Sequence, residues 1–289
     1  MFKFIQFGVF IALFTSFTIL ANTQVADKFS SEYLVDHVPT LSMQDDNEHF
    51  SFTSFDGQTV NGRLSYPKVK QDRYPVLIAM HAMGRSFPRW WNANLKGSPT
   101  VTQAHKVQAM ASHQGFSVIA LDARHHGTRK VPDYSLLTIL DKLEAGDSKA
   151  YEAMIQDTVK DYKVILNWIS EQSQFKDSPV YVVGYSMGAQ MALLLAASDQ
   201  RIDNVISIVP PHVEDSMPHI SPHFNAARIT NAEVLLLTAN QDEYATNAQF
   251  ANLFEQLSTQ SKRQVVFNSG HILPANYTEV LEHWFAKAN

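Results

Sequence analysis

The stretch from Val180 to Gly188, Val-Tyr-Val-Val-Gly-Tyr-Ser-Met-Gly, decides the fold. It begins with a short, continuous apolar run, which is typical of a strand buried on both faces of a parallel sheet. It ends in Gly-X-Ser-X-Gly, directly before an apolar stretch of helical length. In this context the motif predicts a tight strand-to-helix turn that exposes the hydroxyl of Ser186 at the carboxyl edge of the sheet. We predict that Ser186 is a nucleophile, and the alternative is a serine that only caps the helix.

Strand and helix patterns alternate on both sides of this stretch. Strands are predicted at Val76–Met80, Phe116–Leu121, Val180–Val183, Val205–Val209, Val234–Thr238 and Gln264–Phe267, and the first three are predicted to be buried. Helices are predicted at Val101–His113, Tyr151–Ile169, Met187–Ala197 and Thr246–Leu257, with a last helix from Pro274. This alternation is typical of an α/β fold with a mostly parallel central sheet and helices on both faces.

Polar and apolar residues alternate from His49 to Pro67 around Asp56-Gly57 and Asn61-Gly62, which predicts an N-terminal β-hairpin. No linker rich in proline, glycine or serine follows, so residues 27–289 are predicted to form one domain. The connection from Pro210 to Ala232 is too short for a large cap domain. The segment Lys130–Asp147 is interpreted as a partial lid or as a plain surface loop.

The N-terminus has the pattern of a secretory signal. Lys3 precedes an almost uncharged run from Phe4 to Leu20, and small residues follow at Ala21 and Ala26. We predict a signal peptide over residues 1–26 and export to the periplasm or the medium, with a retained anchor as the alternative. After signal removal no stable membrane association is expected.

Composition excludes several classes of function. The chain has no cysteine, which fits an oxidising compartment and excludes a thiolate nucleophile or a cysteine-ligated metal. Its formal net charge is -5 and its 23 basic residues are scattered, so a nucleic-acid interface is not expected. No cofactor is predicted, and the oligomeric state stays open.

A serine hydroxyl needs a base and an acid from elsewhere in the chain. His271 follows the predicted strand Gln264–Phe267 after a Ser-Gly turn, and Asp242 follows the strand Val234–Thr238. Both therefore belong to the carboxyl edge of the sheet, and the order serine, acid, histidine is the order expected there. Asp242 as a helix cap is one alternative. Other candidate acids are Glu243, Glu214 and Asp215. Among the other histidines after Ser186, His212 also follows a strand closely, whereas His283 lies within the final helix and is interpreted as a surface or packing residue.

Attack on a carbonyl creates an oxyanion that backbone N–H groups stabilise. The N–H of Met187 is one predicted donor, and the loop His81-Ala82-Met83-Gly84 supplies the other, preferably Met83 rather than Ala82. A substrate pocket is predicted around His81, Trp90, Trp91 and Tyr185, with core packing of the aromatic rings as the alternative. A metal site at His212, His219 and His223 is not expected, because the prolines between them prevent a regular ligand face.

These residues resemble an α/β-hydrolase of the dienelactone-hydrolase and prolyl-oligopeptidase-like esterase group. The likeness covers the hairpin from Phe52 to Pro67, His-Ala-Met-Gly at 81–84, Asp-Ala-Arg-His-His-Gly at 122–127, Gly-Tyr-Ser-Met-Gly at 184–188, Asp242 and His271. Ala82 and His125 stand where related enzymes carry glycine. The nucleophile is a serine, whereas dienelactone hydrolase itself uses a cysteine.

The resemblance implies a serine hydrolase that cleaves small-molecule carboxylic esters or thioesters through a covalent acyl-enzyme on Ser186. A serine peptidase is the second interpretation. A non-catalytic binding protein with the same fold is the third.

Overall fold

The computed structural model describes residues 28–286. The chain divides into two compact units, and the first ends at Leu34, with residues 28–32 helical. The second unit begins at Val35 and contains the sheet. The predicted signal peptide, residues 1–26, lies outside the described residues. Between residues 28 and 286, no helix is both long enough and apolar enough to span a membrane.

The second unit is built on one large sheet. Its strands, with a small separate ribbon of β5 and β6, are β1 (Ser42–Met43), β2 (His49–Thr53), β3 (Thr59–Ser65), β4 (Val76–Met80), β5 (Asn94–Leu95), β6 (Ser98–Pro99), β7 (Ser117–Leu121), β8 (Val180–Tyr185), β9 (Asn204–Ile208), β10 (Glu233–Ala239) and β11 (Lys262–Phe267). The spatial order of the large sheet is β1-β2-β3-β7-β4-β8-β9-β10-β11. The six neighbouring strands β7-β4-β8-β9-β10-β11 pair in parallel. Strands β1, β2 and β3 pair antiparallel with one another, and β3 pairs antiparallel with β7.

Helices connect the parallel strands. They are α1 (Ala104–His113), α2 (Leu136–Glu144), α3 (Lys149–Glu171), α4 (Met187–Ser198), α5 (Pro222–Asn225), α6 (Asn247–Gln256) and α7 (Tyr277–Phe285). Leu77 and Ala79 of β4 belong to a buried cluster with Val107 of α1 and Leu281 of α7. Because side chains alternate along a strand, Ile78 faces the opposite side of the sheet. The central strands β4, β7, β8 and β9 are therefore buried on both faces, as continuous apolar runs predict, whereas the edge strands β1 and β11 are partly exposed.

The predicted elements are present, and their ends differ by a few residues. The hairpin forms as β2 and β3 around Asp56-Gly57, but the second turn signal, Asn61-Gly62, lies inside β3. There a Cβ on Gly62 would lie 2.6 Å from the side chain of Leu121, so glycine serves close packing. Helix α2, inside the segment predicted as a lid or surface loop, was missed from the sequence.

Candidate active site

The turn that carries Ser186 is forced by contacts between backbones. A Cβ on Gly184 would lie 2.0 Å from the carbonyl oxygen of Gly188, and a Cβ on Gly188 would lie 2.2 Å from the carbonyl oxygen of Met80. Only glycine therefore fits at either position. Ser186 has φ 56° and ψ -120°, a conformation that residues with a side chain rarely adopt. We call residues 184–188 the elbow.

Three predicted side chains meet beside the elbow. The Ser186 Oγ lies 2.8 Å from His271 Nε2. His271 Nδ1 lies 3.0 Å and 2.9 Å from the two carboxylate oxygens of Asp242. The side chain of Asp242 is 1% exposed and that of His271 is 12% exposed. The arrangement gives the serine a base and gives that base a carboxylate that fixes its tautomer.

The other predicted acids and histidines do not take these places. Glu243 accepts a hydrogen bond from the backbone N–H of His271 at 2.9 Å, so it holds the loop rather than the ring. Asp215 pairs with His223 at 3.2 Å. Glu214 and His283 are exposed. Asp242 is the acid that the structure brings to His271.

Tyr185 and Tyr244 hold the histidine loop in position. The Tyr185 hydroxyl donates to the carbonyl of His271 at 2.9 Å and accepts from the N–H of Leu273 at 2.9 Å. The ring of Tyr244 meets the His271 ring at 4.6 Å between centroids. Tyr185 is buried, so the prediction that it lines a substrate pocket is wrong. Its place as X in Gly-X-Ser-X-Gly gave no sign of this role.

Residues 81–84, which we call the oxyanion loop after their predicted role, are organised by His81. The N–H of Ala123 donates to His81 Nε2 at 3.0 Å, which leaves the ring proton on Nδ1. Nδ1 then donates to the carbonyl of Ala82 at 2.9 Å, and the Arg85 N–H donates to the same oxygen at 3.1 Å. Because N–H and C=O point in opposite directions across a trans peptide, the N–H of Met83 points away from the His81 ring.

His81 is 3% exposed, and burial lowers its pKa to about 4, so the ring is neutral near pH 7. The prediction that it lines the substrate pocket is wrong, because both ring nitrogens are already bonded to backbone.

The two tryptophans also lie away from the predicted pocket. Trp90 is buried in the core cluster. Trp91 donates from its indole N–H to Ser65 at 3.1 Å, and Arg63 lies over its ring at 4.7 Å. It lines a cavity of about 820 Å³ with residues of β3 and α1, such as Gln108. The core alternative holds for Trp90, and Trp91 packs against the same cluster while it also lines this cavity.

Asp122 has a structural role beside the site that the sequence did not indicate. Its buried carboxylate accepts hydrogen bonds from the N–H groups of Phe87 at 3.1 Å and Thr128 at 2.8 Å. Burial raises the pKa of Asp122, and these hydrogen bonds oppose that rise. A Cβ on Gly127 would lie 2.1 Å from the same carboxylate, which explains that glycine. Asp122 thus joins the segment after the oxyanion loop to residues 122–128.

Arg124 continues this network to the hairpin. It pairs with Asp161 of α3 at 3.0 Å and with Asp56 of the hairpin turn at 2.6 Å. Arg129 pairs with the same Asp161 at 2.6 Å. The hairpin, α3 and residues 122–129 are therefore held together by charge pairs, and the pairs with Asp161 are buried.

The histidines of the connection after β9 do not form a ligand set. The rings of His212 and His223 stack at 5.0 Å between centroids. Ser221 and Asp215 bond to the two nitrogens of His223. Within residues 28–286, no group of three or more histidine, cysteine, aspartate or glutamate side chains is placed to hold a metal ion.

The chain matches a known protein family. A family model described as alpha/beta hydrolase fold matches residues 75–228, just over half of the chain. The match includes the oxyanion loop and the elbow. No curated protein sequence matches this chain.

Solved structures of esterases resemble the whole fold. Acetyl xylan esterase 1 from Thermoanaerobacterium sp. JW/SL YS485 has a TM-score of 0.65 at 16% identity, over 91% of this chain and 93% of that one. An acetyl xylan esterase from Paenibacillus sp. R4 has a TM-score of 0.63 at 16% identity, over 92% and 93%. A cold-adapted esterase from an Arctic intertidal metagenomic library has a TM-score of 0.59 at 18% identity, over 86% and 97%. At these identities the likeness shows the fold alone.

Proposed function

Because this chain belongs to the α/β-hydrolase fold family, we propose that it is a serine hydrolase that cleaves carboxylic esters, thioesters included, through a covalent acyl-enzyme. One observation carries the proposal: hydrogen bonds run continuously from Asp242 through His271 to the hydroxyl of Ser186. A serine that only caps a helix has no need of a base bonded to a buried carboxylate.

The reaction has two steps. His271 Nε2 takes the proton of the Ser186 hydroxyl as its oxygen attacks the ester carbonyl, and the same proton then goes to the departing alcohol. Asp242 stabilises the imidazolium formed in between. In the second step His271 takes a proton from water, which attacks the acyl-enzyme and releases the acid. Ser186 regains its proton from His271.

Two backbone N–H groups are proposed to stabilise the oxyanion. Met187 is the first residue of α4, so no carbonyl of that helix can accept its N–H. The direction imposed on the Ala82 carbonyl by His81 supports Met83 as the second donor. Removal of one such donor typically costs about 10²–10³ in kcat.

The likeness to solved structures of esterases supports ester rather than amide substrates. The dienelactone-hydrolase and prolyl-oligopeptidase-like subgroup stays a prediction, as does the small-molecule nature of the substrate. Export is proposed from the N-terminal pattern, Lys3 before the run Phe4–Leu20. N-terminal sequencing of the protein recovered from the periplasm or medium of the native host would place the cut near residues 21–26, and an uncut N-terminus there would contradict the signal peptide.

Covalent labelling tests the central proposal. A fluorophosphonate probe should label the purified protein, and phenyl acetate should be hydrolysed. Ser186→Ala should abolish labelling and lower kcat by about 10⁶-fold. Ser216→Ala, which changes an exposed serine of the connection after β9, is the matched control and should label like the wild type. A folded wild-type protein that takes no label would refute the nucleophile, and faster cleavage of aminoacyl amides than of esters would favour the peptidase.

A further inference from the structure

A cavity of about 330 Å³ lies beside Gly84, the residue that follows Met83 in the oxyanion loop. We call it the histidine cavity, because His125 and His126 line it together with Lys130. Leu136, Leu137 and two neighbouring residues supply apolar walls. Its volume is at the lower end of the range of about 300–1,000 Å³ found for small-ligand sites. An apolar wall with a few convergent polar groups is the usual composition of such sites.

His126 has a buried hydrogen-bond acceptor that no described residue uses. Its Nδ1 lies 2.7 Å from the carbonyl of Arg124, so this nitrogen carries the proton and donates it. Burial lowers its pKa to about 3, and the side chain, 1% exposed, is neutral near pH 7. Nε2 is left with a lone pair and has no partner among the described residues. The adjacent His81 cannot supply a donor, because both of its nitrogens are bonded to backbone.

His125 presents a second acceptor. Its ring donates to the carbonyl of Tyr134, and Nδ1 is buried and has no partner among residues 28–286. Burial lowers its pKa, so this ring too is neutral. His125 also has φ 61°, a left-handed backbone that favours glycine. Strain of this kind persists where the side chain serves a purpose that glycine cannot serve.

The chemistry of the lining selects the ligand. Two neutral imidazole lone pairs need hydrogen-bond donors, which a carboxylate or a fully ionised phosphate group lacks. An ammonium group is repelled by the Lys130 cation on the same wall. Hydroxyl groups donate to imidazole nitrogen and accept from ammonium, so they satisfy all the polar groups together. The leucine walls match the C–H faces of a saturated ring.

We propose that the histidine cavity is a subsite for the hydroxylated part of an acylated sugar or other polyol, whose free hydroxyls donate to His126 Nε2 and His125 Nδ1. An ester of a polyol keeps free hydroxyls next to the acylated one, which is the pattern that two separate acceptors require. The inference rests on the proposed esterase function and names the substrate class of the same site.

Two acetates with the same ring test the proposal. Methyl 6-O-acetyl-glucopyranoside carries free hydroxyls, and tetrahydropyran-2-ylmethyl acetate has the ring without them. The wild-type protein should prefer the sugar by about tenfold or more in kcat/KM, because acceptors built for a hydroxyl stay unpaired with the analogue. Equal rates on the two acetates would overturn the proposal.

Two variants separate the subsite from the fold. In His126→Asn the amide can replace Nδ1 as donor to the carbonyl of Arg124, but it does not reach the position of Nε2. The ratio of kcat/KM for the sugar acetate to that for its analogue should therefore fall to nearly one. His125→Gly suits the left-handed backbone and removes only the imidazole, so the preference should fall about threefold or more. His113→Asn removes an exposed histidine of α1 and is the control, with the wild-type preference expected.

Fluorophosphonate labelling of each variant shows whether the active site is formed. If His126→Asn fails to fold, the preference for the sugar acetate measured in His125→Gly decides whether the subsite exists. Wild-type preference in labelled His126→Asn or His125→Gly would overturn the subsite. A wild-type protein that cleaves phenyl acetate and treats both ring acetates alike refutes only this inference. A wild-type protein that neither labels nor cleaves phenyl acetate refutes the proposed function, and this inference with it.

Discussion

The elbow and the oxyanion loop reach the same edge of the sheet by different physical means. The elbow is held by backbones in contact, so that Gly184 and Gly188 leave no room for a Cβ. The oxyanion loop is held by one side chain, His81, which bonds to backbone on both sides. Steric contact therefore fixes the nucleophile, whereas a single hydrogen-bonded ring fixes the direction of the neighbouring peptide. The first kind of constraint is visible in a motif, and the second is not.

The largest effect is expected from Gly188→Ala. The new methyl group would lie 2.2 Å from the Met80 carbonyl, and a backbone atom of a buried strand cannot move aside cheaply. We expect a loss of about 3 kcal/mol in the free energy of unfolding, measured by urea denaturation, and greatly reduced fluorophosphonate labelling. Gly57→Ala is the control. It has φ +84° but nothing within 4 Å, so it should cost only about 1 kcal/mol of backbone strain. Equal losses in the two variants would show that steric contact does not define the elbow.

Substitution of His81 tests the other kind of constraint. His81→Phe removes the donor to the Ala82 carbonyl and should lower kcat about 100-fold with KM nearly unchanged, since the oxyanion forms only in the transition state. In His81→Asn the side-chain amide takes the place of Nδ1, and most of kcat should return. Inhibition by a boronic acid, which mimics the tetrahedral intermediate, should weaken in His81→Phe by the same factor. A change in KM alone would show that His81 is not a positioning residue for this peptide.

A smaller effect is expected from acid. Burial holds the pKa of His126 at about 3 in the folded protein, against about 6.5 in the unfolded chain. Between these values the unfolded chain binds more protons, so stability falls as the pH falls below about 6.5. From pH 7 to pH 5 the His126 contribution should fall by about 2 kcal/mol. Urea denaturation at both pH values measures the loss of free energy of unfolding between pH 7 and pH 5. This loss should be smaller in His126→Asn than in the wild type by about 2 kcal/mol. Identical losses in both proteins would exclude His126 as a source of the acid sensitivity.

The sequence was sufficient for the sheet and for the three residues that meet at its edge. Continuous apolar runs predicted the parallel strands, and the position of each loop after its strand brought Asp242 and His271 to Ser186. The motif of the elbow also predicted the tight strand-to-helix turn, where the structure places Ser186 at φ 56°.

The lining of the site was not predictable in the same way. Side chains in loops follow no period, so the direction of His81 depends on a partner distant in the chain. Tyr185 is the last residue of β8, but the partner of its hydroxyl also lies far along the chain. Ala123 and Leu273 are such partners, and no local pattern indicates them. Helix α2 was missed because it lies within a segment interpreted as a loop, although Ser135 caps its first turn.

The Tyr185 hydroxyl has a consequence for motion. It ties the residue before the nucleophile to the backbone on both sides of Ile272, so the serine and its base share one rigid support. Thermal displacements of the histidine loop should then be correlated with those of the elbow. The contact between Ser186 and His271 is thereby preserved during thermal fluctuations of the protein. Burial raises the pKa of Tyr185 to about 12, so this coupling persists well into alkaline solution.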